Sequence, residues 1–369
     1  MKNQETQEAI GLLKTLISIP SMSRDEFAAM KVMEQFLQSK NCAPMVLGNN
    51  VFSVSPNWDP SKPSVLLNSH LDTVPPNSGY TRNPFEPEVE NGKLYGLGSN
   101  DAGGALVCLA VSYILLRNDA LRKFNIAFAA TAEEEITGSN GVAALLESMK
   151  FKKATKNAFS MGGSGFAIVG EPTLMKMATA ERGLLVVDGE AKGIAGHAAR
   201  EEGVNAVAIA LKDINWLLTH SMEKVSPLLG PVKWTPTIIN TENTKHNVVP
   251  DRCTFTIDCR INELYSHEEV LHHLTTQLSA ELTPRSMKLR SSQIEETHPI
   301  VRSGRALGLE SYGSPTCSDK GLMPFPALKI GPGDSARSHT PDEFIYLDEI
   351  EQGISLYLQL LHQFNTYCS

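Results

Sequence analysis

Three short runs, PSVLLNSH, FNIAFAAT and GFAIVG, are apolar almost throughout, and each is stopped by turn residues. Apolar runs of four to eight residues without polar alternation describe strands buried on both faces. Helical patterns, such as AGGALVCLAVSYILLR and SNGVAALLESMK, lie between them. Strand, helix and strand in alternation predict a parallel sheet covered on both sides. From about 181 to about 290 the pattern changes. LLVVDGEAKG and CTFTIDCRIN alternate polar with apolar residues, which predicts a sheet with one wet face. Two helices are expected with it, near 205–218 and 267–282. From about 294 apolar strands return (ALKIG), and the chain ends in an amphipathic helix, EIEQGISLYLQLLHQF. Near the N-terminus Ile10, Leu13 and Ile17 recur at helical spacing and predict an amphipathic surface helix. The expected fold class is α/β: a mainly parallel-sheet domain, residues 1–180 and 293–369, with an α+β domain, residues 181–292, inserted into it.

A chain of 369 residues fits two domains better than one. A net charge of −8 makes nucleic acid an unsuitable partner. No export signal interrupts the first helical pattern, and no run reads as the roughly 18 apolar residues of a membrane span. The six cysteines form no C-x-x-C pair. A cytoplasmic location with reduced thiols is the expectation.

Ligands of open α/β sheets gather at the carboxyl ends of the strands. SVLLN runs out at His70 and Asp72, NIAFAATA at Glu133, Glu134 and Glu135, and FAIVG at Glu171. PALKIGPG leads through a loop to His339, and the glycine-rich turn GLGSND delivers Asp101 ahead of an apolar helix. Each has an ordinary structural explanation alone: a hydrogen-bonded core histidine, a solvated acidic patch, a strand end, a loop residue, a helix N-cap. Together they place five or more anionic or imidazole groups on one rim, which stay unpaired or repel unless cations sit among them. Two divalent ions, each with a histidine and carboxylates and sharing one carboxylate, meet that need. Imidazole and carboxylate without thiolate favour zinc, with cobalt or manganese as substitutes. Residues i and i+2 of a strand share a face, so Asp72 is placed to accept the second ring N–H of a metal-binding His70.

These residues resemble the dinuclear zinc deacylases and exopeptidases of the M20 peptidase family. LISIPSMS, NSHLDTVPP, GLGSNDAGG, TAEEEITGS, IVGEPT, ERG, GIAGHAA, HNVVPD, DCRIN and GPGDSARSHTPDEF follow in the family's order along nearly the whole chain. The resemblance implies one zinc on His70 and Glu171, a second on His339 and Glu135, and Asp101 bridging them. It implies Glu134 as general base, with the register of the EEE triplet open by one residue. It further implies that the inserted domain is a lid and dimerisation domain of a homodimer. There His197 would stabilise the oxyanion in the partner subunit's site, and Asn247 and Arg260 would contact substrate. Arg260 suits a fork-shaped grip on an α-carboxylate, while an ion pair with Asp258 or Glu263 is the bland alternative.

The implied reaction is hydrolysis of an N-acyl amino acid, and the His339 motif looks most like the acetylornithine deacetylase branch. Succinylated ornithine or citrulline, succinyl-diaminopimelate and dipeptides are alternative substrates, with Lys233, Lys245 or Arg337 available for a succinyl carboxylate. A metal-dependent binding protein without chemistry is the reading from a different class. G-x-S-x-G and G-K-S/T are absent, so a serine-hydrolase elbow and a phosphate loop find no support.

Overall fold

A computed structural model describes residues 3–200 and 202–368. The chain divides into two units, residues 1–179, 294–312 and 318–369 in the first and residues 180–293 and 313–317 in the second. The segment 313–317, expected in the first domain, groups with the second.

In the first unit the strands Asn125–Thr131, Ser64–His70, Gly165–Val169 and Ala327–Lys329 lie side by side in that order and run parallel. Val65, Leu67, Ile126, Phe128, Phe166 and Ile168 belong to one core cluster, and Leu66, Ala127, Ala129, Ala167 and Val169 to another. This period of two places an apolar layer on each face, which is why the strands read as unbroken apolar runs. On the first face lie the helices Gln4–Ile17, Phe27–Ser39, Gly104–Leu116 and Leu347–Asn365, and on the second Val142–Glu147 and Met149–Ala154. Antiparallel strands flank the parallel centre: Asn50–Val54 beside Asn125–Thr131, and Met177–Glu181 beside Ala327–Lys329.

Two sequence expectations are refined in this unit. The helix expected across SNGVAALLESMK breaks at Ser148, whose extended backbone ends one helix and whose side chain caps the next at Phe151 N. The stretch Ser99–Leu116 is long and apolar enough for a membrane span by length and composition, yet most of its residues are buried within the protein. It includes the central helix of the first core.

In the second unit Lys233–Asn240, Arg252–Ile261, Gly183–Lys192 and Glu281–Pro284 form an antiparallel sheet in that order. Buried and half-buried residues alternate along Gly183–Lys192. Leu185, Val187 and Ala191 face the helices Ala206–Thr219 and His267–Gln277, while Asp188 and Glu190 pair with Arg285 and Arg252 on the wet face. The second helix stops at Gln277, short of the expected 282. The carboxylate of Asp213 accepts from Ser279 N and Ala280 N at 2.8–3.0 Å, which turns the chain and frees 281–284 to join the sheet. Among the described residues no disulfide joins the six cysteines.

Candidate metal centre

Register decides where the functional groups fall. His70 pairs with Thr131, and Asn68 pairs with Val169, which in turn faces Lys329. The carboxyl ends of four parallel strands therefore form one rim, and the chain leaves each within a few residues of a titratable group. His70 ends its strand, Glu133–Glu135 follow Thr131, Glu171 follows Val169, and the loop after Lys329 leads to His339.

Two trios result, with Asp101 common to both. His70 Nε2 lies 3.4 Å from Asp101 Oδ1 and 3.8 Å from Glu171 Oε1. His339 Nε2 lies 3.7 Å from Asp101 Oδ2 and 3.1 Å from Glu135 Oε2. Within each trio the ligand atoms lie within 4.8 Å of one another. His70 Nε2 is buried without a hydrogen-bond partner, although it faces two carboxylates. An orphaned buried nitrogen among carboxylate oxygens, and one imidazole with two carboxylates on each side of a shared aspartate, fit a pair of divalent ions.

Asp101 sits in the irregular turn Ser99–Gly103 and is not the helix N-cap; that position belongs to Gly103, ahead of Gly104–Leu116. The turn is entered through Gly98 in the left-handed region, φ 75°. His339 is also left-handed, φ 59°, with its side chain 53% exposed, and its carbonyl accepts from Asn77 Nδ2.

Asp72 differs from expectation. His70 Nδ1 lies 2.9 Å from the carbonyl oxygen of Asp72 and 3.5 Å from its carboxylate, so the backbone oxygen is the closer acceptor. The carboxylate instead accepts from Glu134 N at 3.0 Å, Glu135 N at 3.1 Å and Ser23 Oγ at 2.7 Å. Glu26, fully buried, accepts from Glu133 N at 3.2 Å. Two carboxylates thus hold three successive amides of the EEE triplet. Its side chains then diverge. Glu133 turns back to Asn140 N and Nδ2, Glu135 reaches His339, and Glu134 joins neither trio.

The electrostatics follow from crowding. Burial pushes Glu134 well above the ordinary carboxylate range; His70 opposes this, and Glu171, Asp319 and Glu135 add to it. Burial, with Asp101 nearby, pushes Glu171 up to about 8. Burial opposes protonation of His70, but Asp101 and Asp72 outweigh it and raise the imidazole well above its usual value. Glu135 raises His339 to about 9.

Two further buried carboxylates escaped sequence reasoning. Asp319 accepts from Thr131 Oγ1 at 2.8 Å, and burial pushes it up to about 6. Glu343 lies beneath the Asp101 turn, and burial, with Asp101 beside it, pushes it up to about 8. Glu343 stands in the SHTPDEF motif four residues after His339, which is a signal of position but not of partner.

In the second unit the strands Gly196–His197 and Val248–Val249 pair, and Ala198 N donates to Asn247 O, so His197 and Asn247 are neighbours. His197 is exposed, and its Nδ1 accepts from Ala199 N. Arg260 is engaged by Asp258, with Nε to Oδ1 at 2.7 Å and Nη2 to Oδ2 at 3.0 Å. The ion-pair alternative is therefore realised, and Nη1 donates to Cys317 Sγ at 3.8 Å. Arg337 donates through both Nη atoms to Glu349 and is already committed. Lys233 and Lys245 are exposed.

The model of peptidase family M20/M25/M40 matches residues 66–363. A succinyl-diaminopimelate desuccinylase of Rickettsia bellii is 28% identical over 274 residues, 69% of this chain and 67% of that protein. An acetylornithine deacetylase of Edwardsiella ictaluri is 26% identical over 405 residues, 98% of this chain and 99% of its own. Among solved structures, an M20 metallo-carboxypeptidase of Sulfolobus solfataricus superposes with a TM-score of 0.75 at 17% identity, covering 99% and 100% of the two chains. A dinuclear metal-binding M20 peptidase of Bacillus subtilis gives 0.70 at 15%, covering 97% of each. The fold, the matched span and the histidine–carboxylate rim agree, and the chain belongs to peptidase family M20/M25/M40.

Proposed function

We propose that the protein is a dinuclear zinc amidohydrolase that removes the acyl group from an N-acyl amino acid, with N-acetyl-L-ornithine as its substrate. The observation that carries this reading is Asp101 shared between two histidine–carboxylate trios, with the half-buried Glu134, in neither trio, beside them. His70, Asp101 and Glu171 would hold one ion, and His339, Asp101 and Glu135 the other. Bound there, the ions supply Lewis-acid polarisation of the amide carbonyl and acidify the attacking water. Cobalt or manganese would serve in the same donor set.

Glu134 takes a proton from the attacking water as the carbon–oxygen bond forms. It returns that proton to the nitrogen as the carbon–nitrogen bond breaks, so that amide and water yield carboxylic acid and amine. Asp72 holds Glu134 and Glu135 in place by their amides rather than touching substrate. His197 donates to the developing oxyanion in the partner subunit's site, and Asn247, its neighbour, contacts the substrate. Arg260 contacts the α-carboxylate with the guanidinium hydrogens that Asp258 and the weak Cys317 acceptor do not take. The protein works as a homodimer through the second unit, where the edge strand Lys233–Asn240 exposes Ile238 and Ile239.

Full-length similarity extends to an acetylornithine deacetylase and to succinyl-diaminopimelate desuccinylases alike, so the acetyl reading rests on the His339 motif, and N-succinyl amino acids are the second reading. Amine release by zinc-loaded protein from N-acetylornithine, N-succinylornithine, N-succinylcitrulline, N-succinyl-diaminopimelate and a dipeptide decides between them. Fastest turnover of N-acetylornithine is expected. A faster succinyl substrate moves the assignment to the desuccinylases, and turnover of none, with metal bound, points to a binding protein.

A further inference from the structure

The SHTPDEF segment contributes His339 to the metal centre, but two more of its acids are committed to backbone amides elsewhere. Glu343, 2% exposed, accepts from Asn100 N at 2.8 Å and Asp101 N at 2.9 Å through Oε1. Its Oε2 accepts from Gly98 N at 3.2 Å, and its carbonyl accepts from Gly96 N at 3.0 Å. One residue earlier, Asp342 accepts from Thr81 N, Thr81 Oγ1 and Arg82 N at the surface.

The two acids serve different ends. Asp342 ties its loop to the 77–82 loop, which carries no metal ligand. Glu343 ties it to the turn that presents the shared ligand. Gly98, Asn100 and Asp101 stand at the opening of the segment Ser99–Gly103, which follows the strand Lys93–Tyr95, so no preceding helical turn supplies acceptors for their amides. A buried carboxyl group with two oxygens is able to accept from all three. Because Glu343 is four residues from His339, the same bonds fix the shared ligand against the second site's histidine.

We infer that Glu343 is a positioning residue for the metal centre, setting the backbone of the bridging ligand Asp101 in register with His339. This rests on the two-ion reading above. Acids that orient ligands in this way typically govern metal affinity by 10–100-fold.

The test compares Glu343→Gln with Asp342→Asn. Glu343→Gln keeps the size but sets an NH2 group against one of the three amides; Asp342→Asn weakens the same loop without touching the Asp101 turn. Zinc binding is measured by equilibrium dialysis, ligand geometry by the visible absorption of the cobalt-loaded protein, and turnover alongside. Glu343→Gln should weaken the second-bound zinc about 10–100-fold, alter the cobalt spectrum, and lower kcat with KM within about threefold of wild type. Asp342→Asn should lower thermal stability while keeping two ions and the wild-type cobalt spectrum. Wild-type affinity and spectrum in Glu343→Gln overturn the inference. Equal metal loss in both variants also overturns it, reducing Glu343 to a loop anchor. Wild-type protein that fails to bind two ions overturns the underlying reading instead, and the wild-type sample alone reveals that.

Discussion

Replacing Asp72 by asparagine tests whether the EEE triplet is held as described. The carboxylate receives Ser23 Oγ at 2.7 Å and the amides of Glu134 and Glu135 at 3.0 and 3.1 Å. It is buried; burial alone raises its pKa, but His70, Ser23 and the Glu134 amide hold it below the ordinary aspartate value. Asparagine has one acceptor oxygen, so one of the two amides meets an NH2 group and is left unsatisfied at a cost of about 1–3 kcal/mol. The surviving bonds lose charge assistance, on the order of 1 kcal/mol each, and the relief of burying a neutral group offsets part of this. The net expectation is about 3 kcal/mol, a factor of more than 100 in the unfolding equilibrium. Urea unfolding of the chelated protein at pH 7 measures it, with kcat measured after zinc loading. Turnover should fall along with stability, since both Glu134 and Glu135 hang from those amides. A loss under about 0.5 kcal/mol together with wild-type turnover refutes the reasoning.

Three further outcomes are expected. Glu134→Gln should keep two ions per chain while kcat falls by about 10²–10⁴, since only the proton carrier is lost; activity near wild type removes Glu134 from the mechanism. Metal affinity should weaken as pH falls from about 9 to 6, because His70, His339 (about 9) and Glu171 (about 8) carry protons in the metal-free protein that each ion must displace. Competition with a chelating dye at pH 6.5 and 8.5 checks this, and pH-independent affinity contradicts it. Phe128→Ala, in the middle of a fully buried strand and stacked on Tyr113 at 6.0 Å, should cost about 3–5 kcal/mol in urea unfolding. A cost under 1 kcal/mol would mean that this face of the sheet is not a packed core.

The features legible in the sequence are those with a local cause. A strand buried on both faces announces itself as an apolar run, so the ends of Ser64–His70, Asn125–Thr131 and Gly165–Val169, and the titratable groups at or just beyond them, are readable. The wet face of the second sheet was readable from the alternation in Gly183–Lys192. Features that depend on a distant partner were not. The helix from His267 ends at Gln277 because Asp213, 66 residues before Ser279, takes the next amides. The carboxylate of Asp72 serves amides 62 and 63 residues away, although its spacing from His70 suggested the imidazole alone. Glu343 and Asp319 are ordinary acids in sequence, and their burial follows from tertiary packing. Arg260 lies between: Asp258 shares its strand face at i−2, so the ion pair was foreseeable, but nothing local decides it against a substrate carboxylate.

The central claim is that two divalent ions on these trios make the protein an amidohydrolase. Stepwise addition of zinc to chelated protein, with bound metal and amine release from N-acetylornithine measured on the same samples, tests it most directly. Saturation at two ions per chain, with turnover rising as the pair of sites fills and lost again on chelation, is the predicted result. Saturation below two ions, or amine release unaffected by chelation, would contradict it.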